Sequence, residues 1–171
     1  MAAKKYLKIG TNSKPEEVVA TVVSAGAANA GDIPALDDNG QLDNSTMPNG
    51  VGVTITTCPA SEALSAGNWV NVWNDSGTLK ARKADATTTG KEANGYVLAA
   101  VSSGGTATVY RVGKNSQLSG LTLDAEYFLS TTPGSQTTTA PSSAGNVSQS
   151  LGKAESTTTI VFDPGVPYKR A

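Results

Sequence analysis

Residues 68–83 read Asn-Trp-Val-Asn-Val-Trp-Asn-Asp-Ser-Gly-Thr-Leu-Lys-Ala-Arg-Lys, and the fold class turns on how they are read. Two runs that suit extended backbone, 68–73 and 78–83, flank the link Asn74-Asp75-Ser76-Gly77. Asp-Ser-Gly between such runs predicts a tight hairpin with positive φ at the glycine. Alternation puts Trp69, Asn71 and Trp73 on one side of the first run and Val70 and Val72 on the other. Both sides are partly apolar, which fits either a central strand or a strand at a subunit contact.

The same texture extends in both directions. Further strands are predicted over 51–57, 94–101, 106–112, 125–130, 149–154 and 158–162, separated by Gly, Pro, Asn, Asp and Ser clusters such as Ser102-Ser103-Gly104-Gly105 and Pro133-Gly134. About eight short strands at this spacing favour a small β-barrel or sandwich. In 107–112, Ala107, Val109 and Arg111 oppose Thr108, Tyr110 and Val112, a less decisive pattern. Residues 51–171 hold both tryptophans, both phenylalanines and four of the five tyrosines. Residues 1–50 are rich in Ala, Asn, Asp, Gly and Pro, and the turn signal Pro48-Asn49-Gly50 marks the boundary.

Within 13–24, Ser13 and Glu16 resemble a capping box and Pro15 suits a first helical turn. Val18, Val19, Thr21, Val22 and Val23 are all β-branched and stiff at χ1, so an extended segment is the preferred reading. Energetics limit what the first region does alone. Ordering about 50 residues at ~1.5 kcal/mol each costs on the order of 75 kcal/mol. Offsetting that takes on the order of 3000 Å2 of apolar burial at ~25 cal/mol per Å2. A segment with so few large apolar groups does not hold that area. Residues 1–50 are therefore expected to be an extended N-terminal arm, ordered by intertwining with sister chains or by docking. Lys4, Lys5, Lys8, Val18 and Val22 are its candidate partner contacts. Lys4, Lys5, Lys8 and Lys14 occur within residues 1–14 with no acidic residue, which leaves an anionic partner as the alternative.

Catalytic constellations are hard to assemble from this chain. It has no histidine, so Ser-His-Asp and Cys-His arrangements are ruled out. Its single cysteine, Cys58, allows no intrachain disulfide and reads as a buried, inert thiol. Glu16-Glu17 and Asp37-Asp38 are neighbours in sequence, which does not make a cleft. Gly90-Lys91 is followed by Glu92 where a phosphate loop needs Ser or Thr, so a turn is expected. Asp37, Asn39 and Asp43 around Gly40 faintly suggest a calcium loop, but Pro48 stands where its bidentate Glu belongs. A turn between Leu36 and Leu42 is the preferred reading. No catalytic, cofactor-binding or metal-ligating residue is nominated, and an enzyme is not expected.

The net charge is −1, which builds no field for a phosphate backbone, so no nucleic-acid partner is expected. No apolar run reaches the ~20 residues of a membrane-spanning helix. Met1–Gly10 lacks the apolar stretch of a signal peptide, so assembly from the cytoplasm is expected. Serine- and threonine-rich runs such as 137–143 suit solvent-facing loops and strand faces. A glycan-binding surface is the sharper alternative, but aromatic residues are only 5% of the chain.

Two blocks carry a family resemblance. The first is 25–50, AGAANAGDIPALDDNGQLDNSTMPNG, with its Leu-Asp-x-x-Gly-x-Leu-Asp-x-Ser-x-Met-Pro text. The second is 60–113, continuing through 127–134 and 141–162. Both resemble the capsid decoration proteins of tailed bacteriophages, also known as cement or head fibre proteins. That resemblance implies an intertwined homotrimer seated on the major capsid protein at the outer surface of the virion, made in the host cytoplasm and stabilising the shell. It transfers no catalytic residue. The first block also suits tail fibre or appendage subunits, which is the alternative reading.

Overall fold

The computed structural model describes residues 4–38, 40–43, 46–47 and 54–171. The described chain is all-β, with one short 3-10 turn, Gly26–Asn29. It divides into two compact units, Met1–Gly52 and Val53–Ala171.

The first unit is built on one hairpin, β1 (Lys5–Ile9) against β2 (Pro15–Val19), in the register Lys5↔Val19, Leu7↔Glu17, Ile9↔Pro15. The preference for extended backbone over 13–24 holds through β2, but β2 is paired, so this stretch is not a lone strand. β-Branching decides against the capping box here, and Ser13 takes the left-handed turn conformation (φ 62°). Downstream, Thr21 bridges Pro34 in parallel, with Thr21 N–H donating to the Ile33 carbonyl at 3.0 Å. Asp37 closes a turn by accepting Gln41 N–H at 2.8 Å on its carboxylate, as expected between Leu36 and Leu42. Asn39, part of the faint calcium pattern, lies outside the described residues.

The second unit carries the core. A five-stranded sheet runs in the order β3 (Ile55–Pro59), β7 (Thr106–Tyr110), β6 (Gly95–Tyr96), β4 (Trp69–Asp75), β5 (Thr78–Lys83). The β4–β5 hairpin forms at the predicted link. Gly77 has φ 92° and Ser76 φ 54°, so both loop residues take the left-handed conformation that a two-residue turn needs. Asn74 Oδ1 accepts Gly77 N–H at 2.7 Å and fixes the turn.

β4 is central, which settles its two apolar sides. Trp69 enters one core with Tyr96, Leu129, Leu151, Ile160 and Phe162. Val70 and Val72 enter a second with Cys58, Ala81, Val97 and Val109. The second core is drawn from the sheet and its own connections, so the sheet curls around it. Its edge strands meet at a single parallel bridge, Ala60–Ala81. Among the described residues no ladder closes into a barrel, because the contact stops at that one bridge.

The first core lies between this sheet and a layer of short ladders: β8 (Gly113–Asn115) with β13 (Ile160–Phe162), and β9 (Glu126–Leu129) between β10 (Gln136–Thr137) and β12 (Ser150–Lys153). β11 (Val147–Ser148) pairs with β14 (Tyr168–Lys169). Trp69, Tyr96 and Phe162 meet edge-on or tilted at centroid distances of 5.2–5.9 Å, geometry that favours their quadrupoles. Gly152 sits at a bulge of β12 with φ 124°, where a Cβ would stand 2.0 Å from the Val161 carbonyl oxygen, so only glycine fits.

Two strand expectations change. The run 94–101 yields a strand only at Gly95–Tyr96, because Val97 N–H turns to Asn68 and Val101 bridges Leu64. For 51–57, residues 51–53 lie outside the described residues, and β3 occupies Ile55–Pro59.

Candidate interaction surface

Two surfaces compete for the role of functional site. The first is a cleft of ≈ 460 Å3 on the second unit, between the segment Glu92–Asn94 and the loop Pro164–Pro167, with Asn71, Arg111 and Gln149 on its walls. Its polar groups already serve the fold. Asn94 Oδ1 accepts Val72 N–H at 2.8 Å and its Nδ2 donates to the Val72 carbonyl at 2.9 Å, extending the ladder where β6 ends. Gln149 makes the same two-point contact with the backbone of Ala93, at 2.8 Å for both bonds. Asn71 Nδ2 donates to the Glu92 carbonyl at 2.8 Å, and Arg82 Nε donates to Asn71 Oδ1 at 3.0 Å. Arg111 donates to the Asn94 carbonyl at 2.9 Å and to Thr56 Oγ1 at 3.0 Å. This network binds Gly90–Asn94 to the sheet. Gly90-Lys91 lies in a turn as expected, with Glu92 capping Gly90 N–H and Lys91 facing Asp85 at 3.8 Å.

The second surface is the hairpin of the first unit. The five residues predicted as partner contacts all fall on or beside it, in different settings. Lys4 Nζ donates to the backbone carbonyls of Leu36 and Asp37 and so braces the unit. Lys5 pairs with Glu17 at 2.5 Å. Lys8 stands opposite Glu16, and Val18, half-buried, opposite Tyr6. Val22 is half-buried just beyond β2. Lys4 and Lys5 therefore meet backbone carbonyls and a carboxylate within their own unit.

The sequence reading passed over the apolar residues between those lysines. Leu7 and Ile9 are each 70% exposed and Val19 is 53% exposed. All three lie on the Lys5–Glu17 side of the hairpin by alternation and register. Val23, Ile33, Leu36, Leu42 and Met47 of the same unit are also exposed, while Ala35 is its sole buried hydrophobic among the described residues. Period two does not mark Lys5-Tyr6-Leu7-Lys8-Ile9 as a strand, since each side of it mixes a lysine with apolar residues.

Asp32 anchors the loop behind the hairpin. Thr21 Oγ1 donates to its carboxylate at 2.9 Å and Asn29 Nδ2 at 3.0 Å. These bonds, Asn29 first, hold its pKa below the usual carboxylate range. Among the described residues no group of three His, Cys, Asp or Glu side chains is placed to hold a metal ion. Cys58 is buried, which pushes its thiol pKa up, the Arg111 charge acting in the opposite sense. Among the described residues no helix is long and apolar enough to cross a membrane. Tyr168 is the single aromatic side chain in the exposed class there, too little for a stacking platform.

No protein-family model matches this chain, and no curated protein and no solved structure matches it.

Proposed function

We propose that this protein is a non-catalytic structural component of a tailed-phage virion, a homotrimer that binds the major capsid protein from outside and stabilises the shell. One observation carries the reading: among its described residues the first unit buries a single hydrophobic side chain, Ala35, and exposes eight large ones, Leu7 to Met47. Leu7, Ile9 and Val19 share one side of the hairpin, so part of that apolar surface is contiguous. A free-standing module gains nothing from such exposure, whereas a subunit of an assembly gains its attachment. The resemblance of 25–50 and 60–113 to capsid decoration proteins supplies the assembly. Many modest contacts summed over the shell would give firm attachment through multivalency. The first unit serves as the docking segment, and the curled sheet of the second stands in for the barrel or sandwich of such proteins.

The test joins light scattering behind size exclusion with co-sedimentation on shells of the major capsid protein. The full chain runs as a trimer and pellets with shells. A chain lacking residues 1–24 loses trimerisation or attachment. Normal trimerisation and normal binding by the shortened chain would refute the reading.

A further inference from the structure

Beyond the capsid contact, we infer that the outer edge of β1 pairs with the same edge of a second copy, antiparallel and centred on Leu7, making a four-stranded sheet across two chains. The inference does not depend on the capsid reading. It begins with hydrogen-bond phase. Ala20 N–H donates to the Lys4 carbonyl at 2.8 Å and Gly10 N–H to the Lys14 carbonyl at 2.9 Å. In an antiparallel pair, bonded and non-bonded positions alternate, so Tyr6 and Lys8 turn their backbone groups toward β2. Lys5, Leu7 and Ile9 turn theirs outward, and β1 has no neighbour on that side among the described residues.

The opposite edge of the hairpin is protected. Pro15, an outward position of β2, has no N–H to offer. Thr21, next in line, already bonds Ile33 and Ala35, at 3.0 and 2.9 Å. One edge is thus blunted and the other left open, with exposed Leu7 and Ile9 on it. A two-stranded hairpin is marginal by itself, and two added strands bring the sheet into the stable range.

Charge selects the occupant and the register. Outward residues must face outward residues, so the two β1 strands pair in steps of two. Pairing centred on Lys5 opposes Lys5 to itself. One step on, Leu7 against Lys5 opposes Lys8 to Lys4, and Leu7 against Ile9 opposes Lys8 to itself. Pairing centred on Ile9 overlaps only a short end of the strand. Pairing centred on Leu7 opposes Lys5 to Ile9, Tyr6 to Lys8 and Lys4 to Gly10. It is the full-length register with no lysine facing a lysine, and like charges directly opposite destabilise a pair. It also sets Leu7 against Leu7 and brings Ile9 of each chain diagonally beside that pair on one face. Such a contact is isologous, with the same edge used by both copies.

Single-cysteine variants of the full chain test the register, with buried Cys58 left in place. Paired Cα atoms lie roughly 5.5 Å apart, within disulfide reach. Under mild oxidation Leu7→Cys should form a disulfide dimer at least about tenfold faster than exposed Thr11→Cys, the measure of chance collision. Tyr6→Cys and Lys8→Cys should each stay uncrosslinked alone and crosslink when mixed. Ile9→Lys, which places a lysine opposite Lys5, should abolish the concentration-dependent doubling of mass in sedimentation. Equal rates for Leu7→Cys and Thr11→Cys, self-crosslinking of Tyr6→Cys, or wild-type chains that never double in mass would each overturn the inference. That includes the case in which another protein's strand occupies the edge.

Discussion

The two units spend their apolar residues in opposite ways. In the second, Trp69, Val70, Leu129, Leu151 and Ile160 are fully buried, and backbone groups that find no strand are met by Asn94 and Gln149. In the first, Leu7 and Ile9 are exposed beside the Lys5–Glu17 ion pair, and a single alanine is buried among the described residues. The contrast teaches that burial within one chain and burial between chains are separate allotments of the same driving force. A unit that buries its large apolar groups is stable by itself, and a unit that exposes them keeps surface free for contact.

The contrast can be broken hardest at Trp69. Trp69→Ala removes the side chain that joins β4, β6 and β13, and should cost about 3–5 kcal/mol of second-unit stability in urea unfolding. A loss below about 1 kcal/mol would mean that the two-layer core is not the source of that unit's stability. Gln149→Leu is next. It strands the N–H and carbonyl of buried Ala93, with an expected cost of about 2–3 kcal/mol. A neutral result would show that water replaces the amide.

The pH response should separate the units. Burial, with a smaller contribution from Tyr110, pushes the Tyr96 pKa up to about 12. Its folded pKa is raised, so its contribution is full below the usual tyrosine value near 10 and is lost as pH rises through 12. Asp32 has a depressed pKa, so its contribution to the first unit holds above the usual carboxylate range and fades as pH falls through its folded value. Alkaline titration followed by tryptophan fluorescence should therefore weaken the second unit. Acid titration followed by amide NMR of residues 20–35 should loosen the first, and Asp32→Asn should remove that acid response. The smallest stability effect belongs to Leu7→Ser, within about 0.5 kcal/mol, since the side chain is already in water. Its shell binding should nonetheless fall, and that split between stability and attachment is what sharpens the comparison.

Much of the second unit was legible in the sequence because local rules agree there. Asn74-Asp75-Ser76-Gly77 demands a turn between β4 and β5, and β-branched Thr106, Thr108 and Val109 mark β7. Gly95–Tyr96 fell short of its predicted length because Val97 N–H turns to the Asn68 carbonyl and Val101 bridges Leu64, contacts no period reveals. Two-residue strands such as Gln136–Thr137 and Val147–Ser148 are created by distant partners and leave no local pattern. In the first unit, the shortage of core was visible in composition. The pairing of β1 with β2 was not, since a five-residue strand carrying two lysines reads equally as a solvated arm.

Hydrogen exchange on the full chain, free and bound to shells, tests the central claim most directly. The account predicts that β4, β7, β9 and β12 are strongly protected in both states, and that binding to shells adds protection within the first unit. New protection confined to the second unit would contradict it.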